Sequence, residues 1–98
     1  MIIHFANKAL ENMYCTWYAT GYSNEIVKWF IKKIAILKNA KDERDIRAFT
    51  WLHFEKLSNY RRGAYSIKVN DQRRIIFDII NKDEVKIIEI QELSDHYN

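Results

Sequence analysis

Four arginines, Arg61, Arg62, Arg73 and Arg74, crowd the two ends of a stretch that reads as a β-hairpin. Ala64 to Val69 and Arg73 to Ile80 are strand-like runs, and Asn70-Asp71-Gln72 is the short polar turn between them. Cationic side chains fixed on a rigid strand pair suit a polyanion. A guanidinium held this way can also stabilise charge developing on a reacting phosphate. Successive strand residues point to opposite faces, so one of Arg73 and Arg74 should face a site. The competing reading makes both of them edge charges that discourage aggregation. Arg61 and Arg62 stand beside Tyr60 and Tyr65. Arginine next to aromatic rings suits a single-stranded nucleic acid, whose bases stack and whose phosphates take bidentate bonds; the alternative is a solvated approach to the hairpin. Lys56 and Lys68 add positive charge on either flank.

Proton-transfer groups also occur in suggestive places. His53 and Glu55 lie two apart, so in a strand they would share a face. A histidine and a carboxylate near cations could move the protons of RNA strand cleavage, in which a 2′-hydroxyl loses a proton and a 5′-oxygen gains one. The sequence ends Asp95-His96-Tyr97-Asn98, directly after an apolar strand-like run. Such a tail can lie across the functional face of a sheet, or it can be a frayed end. His4, His53 and His96 lack metal-ligand spacing, and there is neither a phosphate-binding glycine loop nor a nucleophile-elbow motif. Cys15 is the only cysteine, which excludes an internal disulfide and a multi-cysteine zinc site.

The elements that must carry these groups are legible in outline. Ile2 to Phe5 has the length of a short strand. Asn7 is placed to cap a helix from about Lys8 to Tyr18, with Leu10, Met13, Tyr14 and Trp17 as its apolar stripe and Gly21 beyond as a stop. Ser23 is placed to cap a second helix reaching about Asn39. Its stripe is Val27, Phe30, Ile31, Ile34 and Leu37, and Lys28, Lys32, Lys33 and Lys38 lie off it toward solvent or a phosphate backbone. Lys41 to Arg47 reads as a charged connection that can hold a helical turn. In the later strand Ile75, Phe77 and Ile79 alternate with Arg74, Ile76, Asp78 and Ile80; Asn81-Lys82-Asp83-Glu84 then turns into a last strand, Val85 to Ile90. This order predicts an α+β fold: two N-terminal helices packed on one face of a largely antiparallel sheet of about four strands.

Composition sets the bounds. Ninety-eight residues suffice for one domain, 1–98, and 48% hydrophobic content supports a packed core. A net charge of +3 is only mildly basic, so it permits a nucleic-acid partner without requiring one. No apolar run approaches the roughly 20 residues of a membrane span, and the opening Met1 to Phe5 is too short for a signal peptide. A cytoplasmic location is expected.

The run Arg62-Gly63-Ala64-Tyr65-Ser66-Ile67-Lys68-Val69-Asn70-Asp71-Gln72-Arg73-Arg74-Ile75 resembles the core of HigB-type toxins (the plasmid maintenance killer family) in the RelE/ParE toxin superfamily. Phe5-Ala6-Asn7-Lys8-Ala9-Leu10 before a helix, and Leu37 to Ala40 closing the next, fit the same pattern. The resemblance implies a RelE-like fold and an mRNA endoribonuclease that acts at the ribosome without metal or other cofactor. It also implies neutralisation by a HigA-like helix-turn-helix antitoxin. Arg74 matches the family's strand arginine, expected on the scissile phosphate, and Arg73 stands where the family has an aromatic residue. Glu55 falls where some HigB toxins have a histidine. The family's terminal Asp-Tyr-His falls on Glu89, Ile90 and Gln91 without a gap; with a gap, His96 comes to that place, flanked by Asp95 and Tyr97, and this version is preferred. The implied catalytic set is therefore Arg74 with His96, Tyr97, Glu55 or His53. RNA would be held by Arg61, Arg62, Arg73, Lys56 and Lys68. Two other functions stay open: a non-enzymatic ParE-like inhibitor of DNA gyrase, and a decayed module without catalysis. The ribonuclease reading fails if the guanidinium at the strand start is buried in a core ion pair and turned away from any open basic hollow.

Overall fold

A computed structural model describes residues 1–57 and 63–95. Strand β1 (Ile2–Phe5) leads into helix α1 (Lys8–Thr16), helix α2 (Asn24–Asn39) and a short helix α3 (Glu43–Ala48). A single 3-10 turn, Thr50–Leu52, precedes strands β2 (Glu55–Lys56), β3 (Tyr65–Lys68), β4 (Arg74–Lys82) and β5 (Val85–Ser94). The strand order is β1-β5-β4-β3-β2. All neighbours are antiparallel except β1, which runs parallel to β5.

The α+β class holds, with two differences of detail. The sheet is mixed and has five strands, because the two-residue β2 adds to the edge of β3; a strand that short shows no periodicity in sequence. The described chain has three α-helices, because Asp42 caps α3 by accepting from the Arg44 amide at 2.9 Å. That cap turns the charged connection into an element, and Lys86 ties it to the sheet through both carboxylate oxygens of Glu43 at 2.9 Å.

The two longer helices form for the reasons read in sequence. The Asn7 side chain accepts from the Ala9 and Leu10 amides, and Ser23 accepts from Ile26. Every member of the α2 stripe is buried. Helix α1 stops earlier than expected: Trp17 adopts a left-handed conformation at φ 63° and closes the helix by donating to the Met13 carbonyl. Trp17 thus leaves the stripe and is exposed, while Leu10 and Met13 enter the core.

The core lies between the helices and one face of the sheet. It gathers Leu10, Met13, Phe30, Ile34 and Leu37 against Ile67, Ile75, Phe77, Ile88, Ile90 and Leu93. Alternation places Ile75, Phe77 and Ile79 on this face, so Arg74, Ile76, Asp78 and Ile80 belong to the other. On β5, Ile88, Ile90 and Leu93 all turn inward although 90 and 93 differ by an odd number. The register shift beside Ile76/Phe77 reconciles them, since Ile76 pairs with Glu92 and Phe77 with Ile90, leaving Gln91 as the extra residue. This bulge brings Glu92 and Ser94 to the face opposite the helices, with Ser94 directly across from Arg74.

Candidate active site

On the helix-free face, β2 and β3 pair Glu55 with Ser66, β3 and β4 pair Lys68 with Arg74, and β4 and β5 pair Arg74 with Ser94. Cross-strand partners share a face, so Glu55, Ser66, Lys68 and Arg74 converge at the hairpin end of the sheet. Arg74 is held tightly there. Its Nε donates to Ser66 Oγ at 2.9 Å, its Nη2 donates to the His53 carbonyl, and the same nitrogen lies 3.8 Å from Glu55 Oε2. Ser66 is buried, and only 8% of Arg74 is exposed. The guanidinium therefore has a fixed orientation, which a long arginine side chain in water lacks.

Arg74 lines a hollow of about 200 Å³ together with His53, Lys68, Asn70, Asp71 and Gln72. The turn that forms its rim is set by Asn70, whose Oδ1 accepts from the Gln72 and Arg73 amides at 2.9 and 2.8 Å. Lys68 is paired with Asp71 at 3.0 Å. An open basic hollow was expected; the observed one is small and of mixed charge, because each cation comes with a carboxylate. Further along the same face Asp78 lies across from Glu89, and Gln91 Nε2 donates to both, at 2.9 and 2.8 Å. That acidic stretch disfavours a polyanion, whereas the hairpin end carries the cations of this face, Arg74 and Lys68. A larger recess of about 970 Å³ at the β1 edge is lined by Met1, Ile3, Phe5, Tyr14 and Val85 among others, and by none of the candidate catalytic or RNA-binding residues among the described residues.

The family described as HigB-like toxin, the RelE-like toxin of the type II toxin–antitoxin system HigB, matches residues 3–90. The chain belongs to that family. No curated protein matches the toxin by sequence. Among solved structures it is similar to a YoeB/ParE toxin from Agrobacterium tumefaciens, at 15% identity and a TM-score of 0.61 over 99% of this chain and 100% of that one. It is likewise similar to the YoeB–YefM complex from Staphylococcus aureus, at 21% identity and a TM-score of 0.61 over 99% and 98%. A YoeB dimer from the same organism gives 23% identity and a TM-score of 0.54 over 99% and 98%. These likenesses bear on the fold alone, which the chain shares with YoeB-type toxins along 99% of its sequence.

The residues singled out from sequence are placed as follows. Arg74 and Glu55 meet. His53 is not on a strand beside Glu55: it closes the 3-10 turn in a left-handed conformation at φ 49°, and its carbonyl reaches Arg74 while the residue lines the hollow. Lys68 reaches the hollow. Lys56 does not, because it pairs with Tyr65 and so lies on the helix side of the sheet, its Nζ 6.0 Å from that ring. Arg73 also leaves the site: its guanidinium lies 5.2 Å from the Tyr22 ring centroid and 3.8 Å from Asp95. The ungapped tail alignment meets an obstacle, since Ile90 is fully buried and Glu89 and Gln91 are engaged mid-strand. Arg61, Arg62, His96 and Tyr97 lie outside the described residues. Ser66 went unrecognised as a site residue. The signal was present, because a hydroxyl inside an otherwise apolar strand needs a partner when buried.

Among the described residues no helix is long and apolar enough to cross a membrane, and no group of three or more His, Cys, Asp and Glu could hold a metal ion.

Proposed function

We propose that this type II toxin is an endoribonuclease that cuts mRNA on the ribosome, with Arg74 as the phosphate-binding group. The observation that carries this reading is the clamp on Arg74. Ser66 and the His53 carbonyl orient the guanidinium at a surface hollow, with a carboxylate 3.8 Å away. A pre-oriented guanidinium favours the extra negative charge of a phosphorane-like transition state without reorganising at the moment of reaction. Glu55, whose Oε2 lies 3.8 Å from Arg74 Nη2, would accept the proton of the attacking 2′-hydroxyl. The 2′-oxygen bonds to phosphorus, the bond to the 5′-oxygen breaks, and that oxygen takes a proton from an acid of the C-terminal tail. His96 and Tyr97 are the tail's acids, and they follow Ser94 by two and three residues. Two residues reach at most about 7 Å, and Ser94 is the partner of Arg74. The scheme balances in atoms and charge with no cofactor.

Lys68, with Arg61 and Arg62, would hold the RNA backbone, and the ribosome would supply the alignment of attacking and leaving oxygens. A cytoplasmic location follows from that target. A helix-turn-helix antitoxin of HigA type is the partner this reading implies. Mapping mRNA 5′ ends after induction of the toxin tests the proposal: new ends should fall at ribosome-occupied codons. Intact mRNA with lost DNA supercoiling would instead establish gyrase inhibition.

A further inference from the structure

A cluster on the helical side of the molecule has no role in the chemistry above. Three large aromatic side chains stand well exposed in a row: Trp29 of α2 at 38%, Trp51 of the 3-10 turn at 50%, and Phe49 at 41%. Phe49 and Trp51 have ring centroids 5.4 Å apart. Lys33 bridges the two indoles, with Nζ 4.5 Å from the Trp51 centroid and 5.3 Å from that of Trp29. Lys32 Nζ lies 5.2 Å from the Trp29 ring. Lys33 was expected in solvent; it is buried beneath these rings. Burial first, and neighbouring Lys32 second, hold its ammonium below the ordinary lysine range. The protein keeps a cation in an unfavourable place, and that place fixes two tryptophans with ring area turned outward.

Asp45 lines the recess beside Phe49, but the lysines of the row are not neutralised by ion pairs: Lys28, Lys32 and Lys33 have no carboxylate within ion-pair distance among the described residues. The 3-10 turn links the row to the hollow through the chain, because Trp51 is two residues before His53, which lines the hollow and whose carbonyl holds Arg74. Aromatic faces interleaved with uncompensated lysines match one chemistry, stacked bases on a phosphate backbone.

We propose that Trp29, Trp51 and Phe49, with Lys28, Lys32 and Lys33, form a stacking platform for the single-stranded RNA that flanks the Arg74 hollow. The proposal rests on the ribonuclease reading for its biological substrate, but binding can be measured without cleavage. The platform would anchor the strand beyond the reacting link, so oligonucleotides long enough to cover both sites bind more tightly than dinucleotides.

The test uses the whole chain carrying Trp17→Phe, which leaves Trp29 and Trp51 as the only indoles, with 2′-O-methyl oligoribonucleotides of two and eight residues as uncleavable probes. The eight-residue probe should quench indole emission, and polyphosphate of equal charge should not. Trp29→Ala and Trp51→Ala should each weaken eight-residue binding about tenfold, the order expected for one base–indole stack. Both should leave dinucleotide binding unchanged. Trp→Phe at either position should restore part of the loss, and circular dichroism of all variants checks the fold. Equal quenching by polyphosphate, or unchanged affinity in both alanine variants, would overturn the platform. So would a loss of self-association in those variants with RNA binding intact, which would make the row an interface between copies. None of these outcomes depends on whether Arg74→Ala abolishes cleavage, so the two readings fail separately.

Discussion

Ser66→Ala isolates the feature on which the site depends while leaving every charge in place. The hydroxyl is buried, so water cannot readily replace it as acceptor for Arg74 Nε at 2.9 Å. A hydrogen bond to a charged group is worth about 1.5–3 kcal/mol, and a buried donor left without its acceptor forfeits that amount. With a urea slope of about 1–3 kcal/mol/M for a small domain, the unfolding midpoint should fall by about 1 M. The catalytic effect is a separate quantity. Arg74 keeps the His53 carbonyl as its second tether but can swing about it, so the phosphate is met in a spread of orientations. Cleavage should drop about 10- to 100-fold, or about 1.4–2.7 kcal/mol of transition-state stabilisation. Urea unfolding and single-turnover cleavage on programmed ribosomes measure the two effects on the same preparation. Ser66→Thr retains the hydroxyl on a strand that suits a β-branched residue and should recover most of the rate. A lowered midpoint with the rate at the wild-type value would refute the clamp's catalytic role, since the bond would then be purely structural.

Three further perturbations follow. Glu55→Gln keeps the shape of the residue and removes its capacity to accept a proton; single-turnover cleavage should slow about 10²- to 10⁴-fold with RNA affinity retained or raised, and an unchanged rate would exclude Glu55 as the base. Asn7→Ala removes the acceptor for the Ala9 and Leu10 amides and should cost about 1 kcal/mol by urea unfolding with no change in cleavage. The depressed Lys33 ammonium means that the folded state binds fewer protons than the unfolded one between its lowered value and the ordinary 10.5. Stability contributed through this group therefore rises with pH across that window; the wild type should gain on Lys33→Met as pH increases there, and parallel curves would contradict the assignment.

Much of the architecture could be read from residues because local signals and packing agree. Asn7 and Ser23 announce helix starts by satisfying amide donors, and the α2 stripe of Val27, Phe30, Ile31, Ile34 and Leu37 is buried as its period implies. The strand alternation Ile75, Phe77, Ile79 likewise fixes the inward face. What the sequence hid was non-local. The parallel pairing of β1 with β5 joins residues more than eighty positions apart. The two-residue β2 exists only because β3 offers an edge. The Gln91 bulge, which decides that Ser94 faces Arg74, becomes visible once both strands are aligned. The candidate site shows the same division. Strand alternation said only that one of Arg73 and Arg74 faces the candidate site, and the family resemblance pointed to Arg74; His53 meets Arg74 through a carbonyl, which no side-chain pattern can signal, and Lys56 turned to the helix side when β2 took its register. Lys33 was assigned to solvent by helical position, yet two indoles from different elements closed over it.

The most direct measurement is single-turnover cleavage of a defined mRNA on programmed ribosomes by the wild type, Arg74→Lys and Arg74→Ala, with ribosome binding followed in parallel. If a clamped guanidinium stabilises the phosphate transition state, Arg74→Ala should lose about 10²- to 10³-fold in rate, as when one preorganised donor is removed from a charge-stabilising site. Arg74→Lys should fall between the two, because an ammonium carries the charge without the planar fork, and all three proteins should occupy the ribosome equally. Cleavage by Arg74→Ala at the wild-type rate would contradict the central claim outright.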